Sequence, residues 1–135
     1  MKDRIQTSFD RQTMMETFGA TLDHVDHGHV TLSAPILPSS RQQQGFAHAA
    51  LTFGLGDSAA GYAALTTIPE DQEVVTAEIK INLTAPATGE RLIAKGRVIK
   101  PGRRLIVVSS EVYALNAGTE TLVAVLQGTM VPVKL

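Results

Sequence analysis

Between Ala47 and Leu65 the chain is apolar on every side, and this stretch constrains the fold more than any other. A helix without a polar face has nowhere to meet water, so the rest of the molecule must wrap it. Gly54, Gly56 and Gly61 lie within it, and each costs about 1 kcal/mol relative to alanine in a helix interior. That loss is offset only where a neighbouring element presses into the space of the missing side chains.

The wrapping element is legible on both sides. Val74 to Leu83, Arg91 to Lys100, Arg104 to Ala114 and Leu122 to Val131 read as strands, separated by Pro86-Ala87-Thr88-Gly89, Pro101-Gly102 and Asn116-Ala117-Gly118. Links this short join antiparallel neighbours, whereas a parallel pair needs a crossover of about a dozen residues or more, so the second half reads as an antiparallel meander. In its first strand Ala77, Ile79, Ile81 and Leu83 alternate with Glu78, Lys80 and Asn82, which places one face on the core. Upstream, two alternating segments between Ala20 and Pro35 flank Asp26-His27-Gly28 and predict a hairpin burying Val30, Leu32 and Ala34. Met14, Met15 and Phe18 give a short helix from about Arg11 to Phe18 its apolar side.

The expected architecture is α+β: a curved antiparallel sheet around one long central apolar helix, in a single domain over residues 1–135. The last strand is apolar on both sides, with Val123, Val125 and Val131 on one and Leu122, Leu126 and Met130 on the other. Edge strands are therefore expected to pair with another subunit.

Charge and composition narrow the function. Twelve Lys and Arg against 13 Asp and Glu leave a net charge of -1, which supplies no one-signed field for nucleic acid or an anionic membrane. The absence of cysteine excludes thiol nucleophiles and thiolate metal sites and suits a reducing, cytoplasmic setting. The longest aliphatic run, Leu122 to Leu126, is far too short to span a bilayer, and the amino end leads to no apolar signal region, so a soluble, unprocessed protein is expected.

The only charge between Ala49 and Leu65 is Asp57, in the middle of the segment expected to be most buried. A carboxylate kept where desolvation is costly is a candidate nucleophile or general base, although a structural ion pair would look the same. His48 precedes it by nine residues, which on a helix is half a turn off and about 13 Å away in rise. If the two cooperate they come from different subunits; alternatively His48 only caps the helix. The unpaired N–H groups expected at Ala49 and Ala50, at the positive end of the helix dipole, suit a polarised carbonyl oxygen. Together these are the parts that thioester hydrolysis needs, with no metal and no cofactor.

The run Gln42-Gln43-Gln44-Gly45-Phe46-Ala47-His48-Ala49-Ala50, then Leu55-Gly56-Asp57-Ser58, Glu78 to Gly89 and Gly102-Arg103, resembles the hot-dog-fold acyl-CoA thioesterases of the phenylacetate-pathway and menaquinone-pathway type. The resemblance covers nearly the whole chain. It implies that Asp57 is nucleophile or base, that the Ala49 N–H polarises the thioester carbonyl, and that His48 and Gln42 reach the site from a partner subunit. It further implies a homo-oligomer, a dimer or a dimer of dimers, acting on a small aromatic or medium-chain acyl-CoA. Gly45, Ala50, Ser58 and Gly61 are the accompanying substrate-site candidates. Two departures stand out. Ala49-Ala50 replaces the usual Gly-Gly, and Gly61 stands where many relatives carry a hydroxyl one turn after the acid. The first keeps a rival open, a non-catalytic acyl-CoA-binding or structural protein.

Other patterns lead elsewhere and carry less. Gly54-Leu55-Gly56-Asp57-Ser58-Ala59 matches a dinucleotide fingerprint but lies within a helix instead of leaving a strand. Ser58 within Gly56-Asp57-Ser58 lacks the exposed turn of a serine nucleophile. His24, His27 and His29 read as a solvated hairpin tip in preference to a metal site. Lys100, Arg103 and Arg104 flank a glycine turn and are candidates for the phosphates of coenzyme A, or simply a solvated turn.

Overall fold

The computed structural model describes residues 1–135. It opens with two helices, α1 (Lys2–Arg11) and α2 (Thr13–Phe18), where the sequence predicts only the second. The first was masked by its polarity: Ile5 and Phe9, one turn apart, are its buried residues. Asp3 in the first turn and Arg11 in the last suit the dipole. Of the predicted apolar side of α2, Met15 is buried but Met14 is exposed.

The hairpin of β1 (Thr21–Asp26) and β2 (His29–Pro35) forms as predicted, with Val30, Leu32 and Ala34 buried. After it come α3 (Ala49–Leu65), β3 (Glu73–Leu83), β4 (Arg91–Lys100), β5 (Ile106–Asn116) and β6 (Thr119–Val133). All pairings are antiparallel and the six strands run in the order β1-β2-β4-β5-β6-β3.

Two strand expectations need correction. Strands β4, β5 and β6 form the meander, but β3 pairs with β6 and lies at the far edge, not beside β4. Helix α3 touches β2 and β3 as well as the strands between, so the chain crosses the sheet along the helix and returns through segment 84–90. The last strand is consequently interior, hydrogen-bonded on both sides, and the free edges belong to β1 and β3. A bulge explains its doubly apolar pattern. Val112 pairs with Ala124 and Tyr113 with Leu122, leaving Val123 without an opposite residue and turned into the core beside Ala124.

The helix lies against the sheet at backbone distance. A Cβ on Gly96 of β4 would sit 2.3 Å from the carbonyl carbon and oxygen of Ala59, so only glycine allows this contact. On the helix side, a Cβ on Gly56 would meet Leu126 at 2.9 Å and Val112 at 3.2 Å. Gly61 differs, because the nearest atom to its missing Cβ is Met130 Cε at 3.8 Å. The far end of α3 is held by Arg4, whose guanidinium donates to the carbonyls of Leu65 (3.4 Å), Ile68 (3.0 Å), Pro69 (3.1 Å) and Gln72, a cation placed where the helix dipole is negative. No helix is long and apolar enough to cross a membrane.

Overpacking and helix propensity give opposite expectations for two glycines. Gly96→Ala should lower stability by about 1–3 kcal/mol, because backbone must move to admit one methyl. Gly61→Ala should be neutral or stabilising by up to about 1 kcal/mol. Urea denaturation of both variants checks the contrast.

Candidate functional site

His48 stands just before α3 with extended backbone (φ -64, ψ 143), and its Nδ1 accepts the Ala50 N–H at 2.8 Å. It is therefore an N-cap. This corrects one expectation, since the Ala50 donor is spent within the chain. The next amides, Leu51 and Thr52, both donate to the His48 carbonyl, while the exposed Ala49 N–H has no acceptor in the chain. One backbone donor is thus presented outward, not two. With Nδ1 acting as acceptor, the neutral imidazole carries its hydrogen on Nε2, which becomes a second outward donor.

The loop before the cap is locked by its own side chains. Gln42 Oε1 accepts the N–H groups of Gln44 and Phe46, and Gln42 Nε2 donates to Gln44 Oε1 at 3.0 Å. Gly45 closes this turn with φ 90, donating its N–H to the Gln42 carbonyl. A cleft of about 490 Å³ opens beside it, lined by Gln42, Ala49, Thr52, Leu83 and Thr84 among others.

Asp57 lies in a different cleft, of about 210 Å³, with Ser58, Gly61, Tyr62, Thr76 and Met130. It is half-buried, and Thr76 donates its hydroxyl to Asp57 Oδ1 at 2.8 Å. Burial raises the pKa of its carboxyl above the ordinary 3.8, and the Thr76 hydrogen bond partly opposes that rise. Ionised, such a carboxylate is a stronger base than one in water. Within one chain neither Gln42 nor Ala49 shares its cleft.

Thr76 escapes a reading based on alternation. Counting back by twos from Ile81 and Ile79 puts Ala77 inward and Thr76 outward. The register against β6 slips between Thr76 and Glu78, so Ala77 bulges out and is exposed while Thr76 turns toward the helix. A bulge that re-aims a side chain is a frequent device beside functional sites. Ser8 and Gln12 are also at the Asp57 cleft; Ser8 had no signal because α1 itself had none, and Gln12, at the start of the predicted short helix, had nothing to mark it as facing a site. Ser58 does not reach Asp57 by hydrogen bond; its hydroxyl donates to Gln12 Oε1 at 3.5 Å.

The structure does not bring the basic residues to either cleft. Lys100, Arg103 and Arg104 are exposed and form no ion pair. Arg103 lines a separate hollow with Pro101, Gly102 and Pro132.

Comparison with known proteins agrees with the fold and identifies a family. The profile of the thioesterase superfamily matches residues 44–121. The fold superposes with a TM-score of 0.97 on a thioesterase family protein from Silicibacter pomeroyi, 38% identical, covering 98% of each chain. A Staphylococcus aureus protein is 25% identical with a TM-score of 0.82 over 90% of this chain and 99% of its own. The E. coli PaaI protein from the phenylacetic acid degradation operon shares the fold at 17% identity, with a TM-score of 0.86 over 97% of this chain and 91% of its own.

The raised Asp57 pKa has a stability consequence of definite sign. Between the unfolded value and the higher folded value the native state holds the extra proton, so this group's contribution falls as pH rises through that window. Above it the buried charge is a net cost. Asp57→Asn, which still accepts from Thr76, should therefore be more stable than the wild type at neutral pH, and the difference should vanish below about pH 3.8. Thermal denaturation from pH 3 to 8 measures it.

Proposed function

This chain belongs to the thioesterase superfamily and is a thioester hydrolase, and from that premise we propose that it cleaves acyl-CoA thioesters at a site shared by two subunits. The observation that carries the shared site is the course of β3. Thr76 lies at the Asp57 cleft and Leu83 at the Ala49 cleft, about 23 Å apart along the strand. The strand's outer edge is unpaired, with Val75 and Leu83 exposed. Two copies pairing these edges antiparallel about a two-fold axis between Ile79 and Lys80 set the Thr76 end of one against the Leu83 end of the other. Asp57 of one subunit then faces Ala49, His48 and Gln42 of the other. Such a pairing yields two equivalent sites per dimer, and a dimer of dimers fits the same scheme.

In this reading the Asp57 carboxylate attacks the thioester carbonyl or takes a proton from the water that does. The Ala49 N–H, at the positive end of α3, receives the developing oxyanion. The carbon–sulfur bond breaks, and the thiolate of coenzyme A leaves and is protonated; where Asp57 itself attacked, water then cleaves the acyl–Asp57 anhydride to the free acid and the carboxylate. His48 Nε2–H and Gln42 orient the thioester or the water, with Gly45 giving the Gln42 loop its turn. Ala50 acts through its amide, which fixes the His48 ring. Ser58 and Gly61 line the acyl side, and Lys100, Arg103 and Arg104 offer cations to the coenzyme A phosphates. Small aromatic and medium-chain acyl groups are the substrates that this reading favours. The cysteine-free composition fits work in the cytoplasm. Crystal structures of the Staphylococcus aureus relative carry alanine in place of a glutamate in one and a glutamine in another; the spacing of those two positions equals that of Gln42 and Asp57.

Two substitutions test the assignment by release of free thiol. Asp57→Asn should lower kcat by about 10²–10⁴ with the fold retained. Ala49→Pro removes the N–H at the first helical position, where proline is tolerated, and the extended His48 backbone accepts a following proline. A loss of about 10²–10³ is expected. Co-refolding the two inactive variants should restore about a quarter of wild-type activity, because half the dimers are mixed and each mixed dimer has one intact site. No recovery, or a monomer in light scattering at micromolar concentration, would exclude the shared site.

A further inference from the structure

The Asp57 cleft is continuous with a larger hollow of about 570 Å³, since Ser8, Gln12, Tyr62, Glu73 and Val74 line both. Tyr62 stands at that junction, 7% exposed. Its phenol oxygen accepts from Gln12 Nε2 at 2.9 Å and from Ser8 Oγ at 3.3 Å. Ser58 donates in turn to Gln12 Oε1. Both partners of the phenol thus donate to it, and its own O–H hydrogen has no acceptor in the chain. A buried donor left over in this way is costly unless something in the cleft takes it.

Space for that acceptor lies alongside. Gly61, one turn beyond Asp57, lines the same cleft as Asp57 and Tyr62 and places no side chain between them. The hollow beyond is lined by Glu70, Asp71 and Glu73 against the single cation of Arg11, which disfavours an ionised carboxylate there and leaves a neutral oxygen unpenalised.

We propose that Tyr62 is a specificity-determining residue that selects acyl groups carrying a neutral hydroxyl or keto oxygen beyond the thioester carbonyl, by donating its phenol hydrogen to that oxygen. Gln12 and Ser8 are positioning residues that fix the phenol. This rests on reading the Asp57 cleft as the acyl side of the site.

The test compares straight-chain acyl-CoAs of about four to eight carbons in matched pairs, plain and with one hydroxyl at each position in turn. Turnover is followed by thiol release, and binding by calorimetry with the non-hydrolysable thioether analogues of the same pairs. The wild type should favour the hydroxylated member of at least one pair about three- to tenfold in kcat/KM and in binding. Tyr62→Phe should bring that ratio to about one, and Gln12→Leu should bring it part of the way. A purely structural role for Tyr62 would weaken both members of a pair alike and leave the ratio standing, which overturns the proposal. So does a wild type with no preference in any pair, or one that binds none of the analogues. Selective thioether binding that is lost in Tyr62→Phe, in a protein that releases no thiol, upholds the selectivity and refutes only the hydrolysis of these acyl-CoAs.

Discussion

Helix α3 rests on the sheet through a contact between backbones, Gly96 of β4 against the Ala59 carbonyl, and the geometry of the site descends from it. With no side chain between them, the helix is held at one height and rotation above the strands. Gly56 faces Leu126 and Val112 on the sheet, so its neighbour Asp57 is carried round toward β3 and stays half-buried. The helix start is fixed in the same way: Ala47 donates its N–H to the Ala87 carbonyl at 2.9 Å, which sets the Ala49 amide beside segment 84–87. Small residues in α3 therefore fix where Asp57 and Ala49 stand as well as how the helix packs, because a bulkier interface would move both ends of the helix relative to β3.

Electrostatics along α3 are sparse, and each group has one defined relation. His48 spends Nδ1 on its own helix cap, which removes one candidate amide from the site and gives the imidazole a fixed tautomer. Asp57 is pulled in two directions, upward in pKa by burial and downward by the Thr76 hydroxyl. Burial wins, so the carboxylate keeps an enhanced appetite for a proton, while Thr76 limits its motion. Within one subunit the Asp57 and Ala49 clefts stay apart, and in the proposed dimer the unpaired edge of β3 joins them across a two-fold axis.

Much of the architecture could be read locally. A stretch apolar on all sides had to be a buried helix, the hairpin announced itself at Asp26-His27-Gly28, and alternation marked the strands. The resemblance carried by the run from Gln42 to Ala50 and by Asp57 pointed to the family that comparison supports. Helix α1 was invisible because two apolar residues among eight polar or charged neighbours form no stripe; it is stable only because Ile5 and Phe9 find a core already built.

What the sequence determined by itself is therefore local: the identity of the central helix, the solitary acid within it, the turn residues, and the face of each strand that seeks the core. Strand order, the edge position of β3, the bulges at Ala77 and Val123 among others, the capping role of His48 and the pairing of Thr76 with Asp57 came only with the tertiary structure. The reason is that periodicity is a property of neighbours along the chain, whereas register and strand order are chosen by contacts between residues far apart in sequence. A bulge of one residue reverses every inward and outward assignment on one side of it, and whether it forms depends on the partner strand.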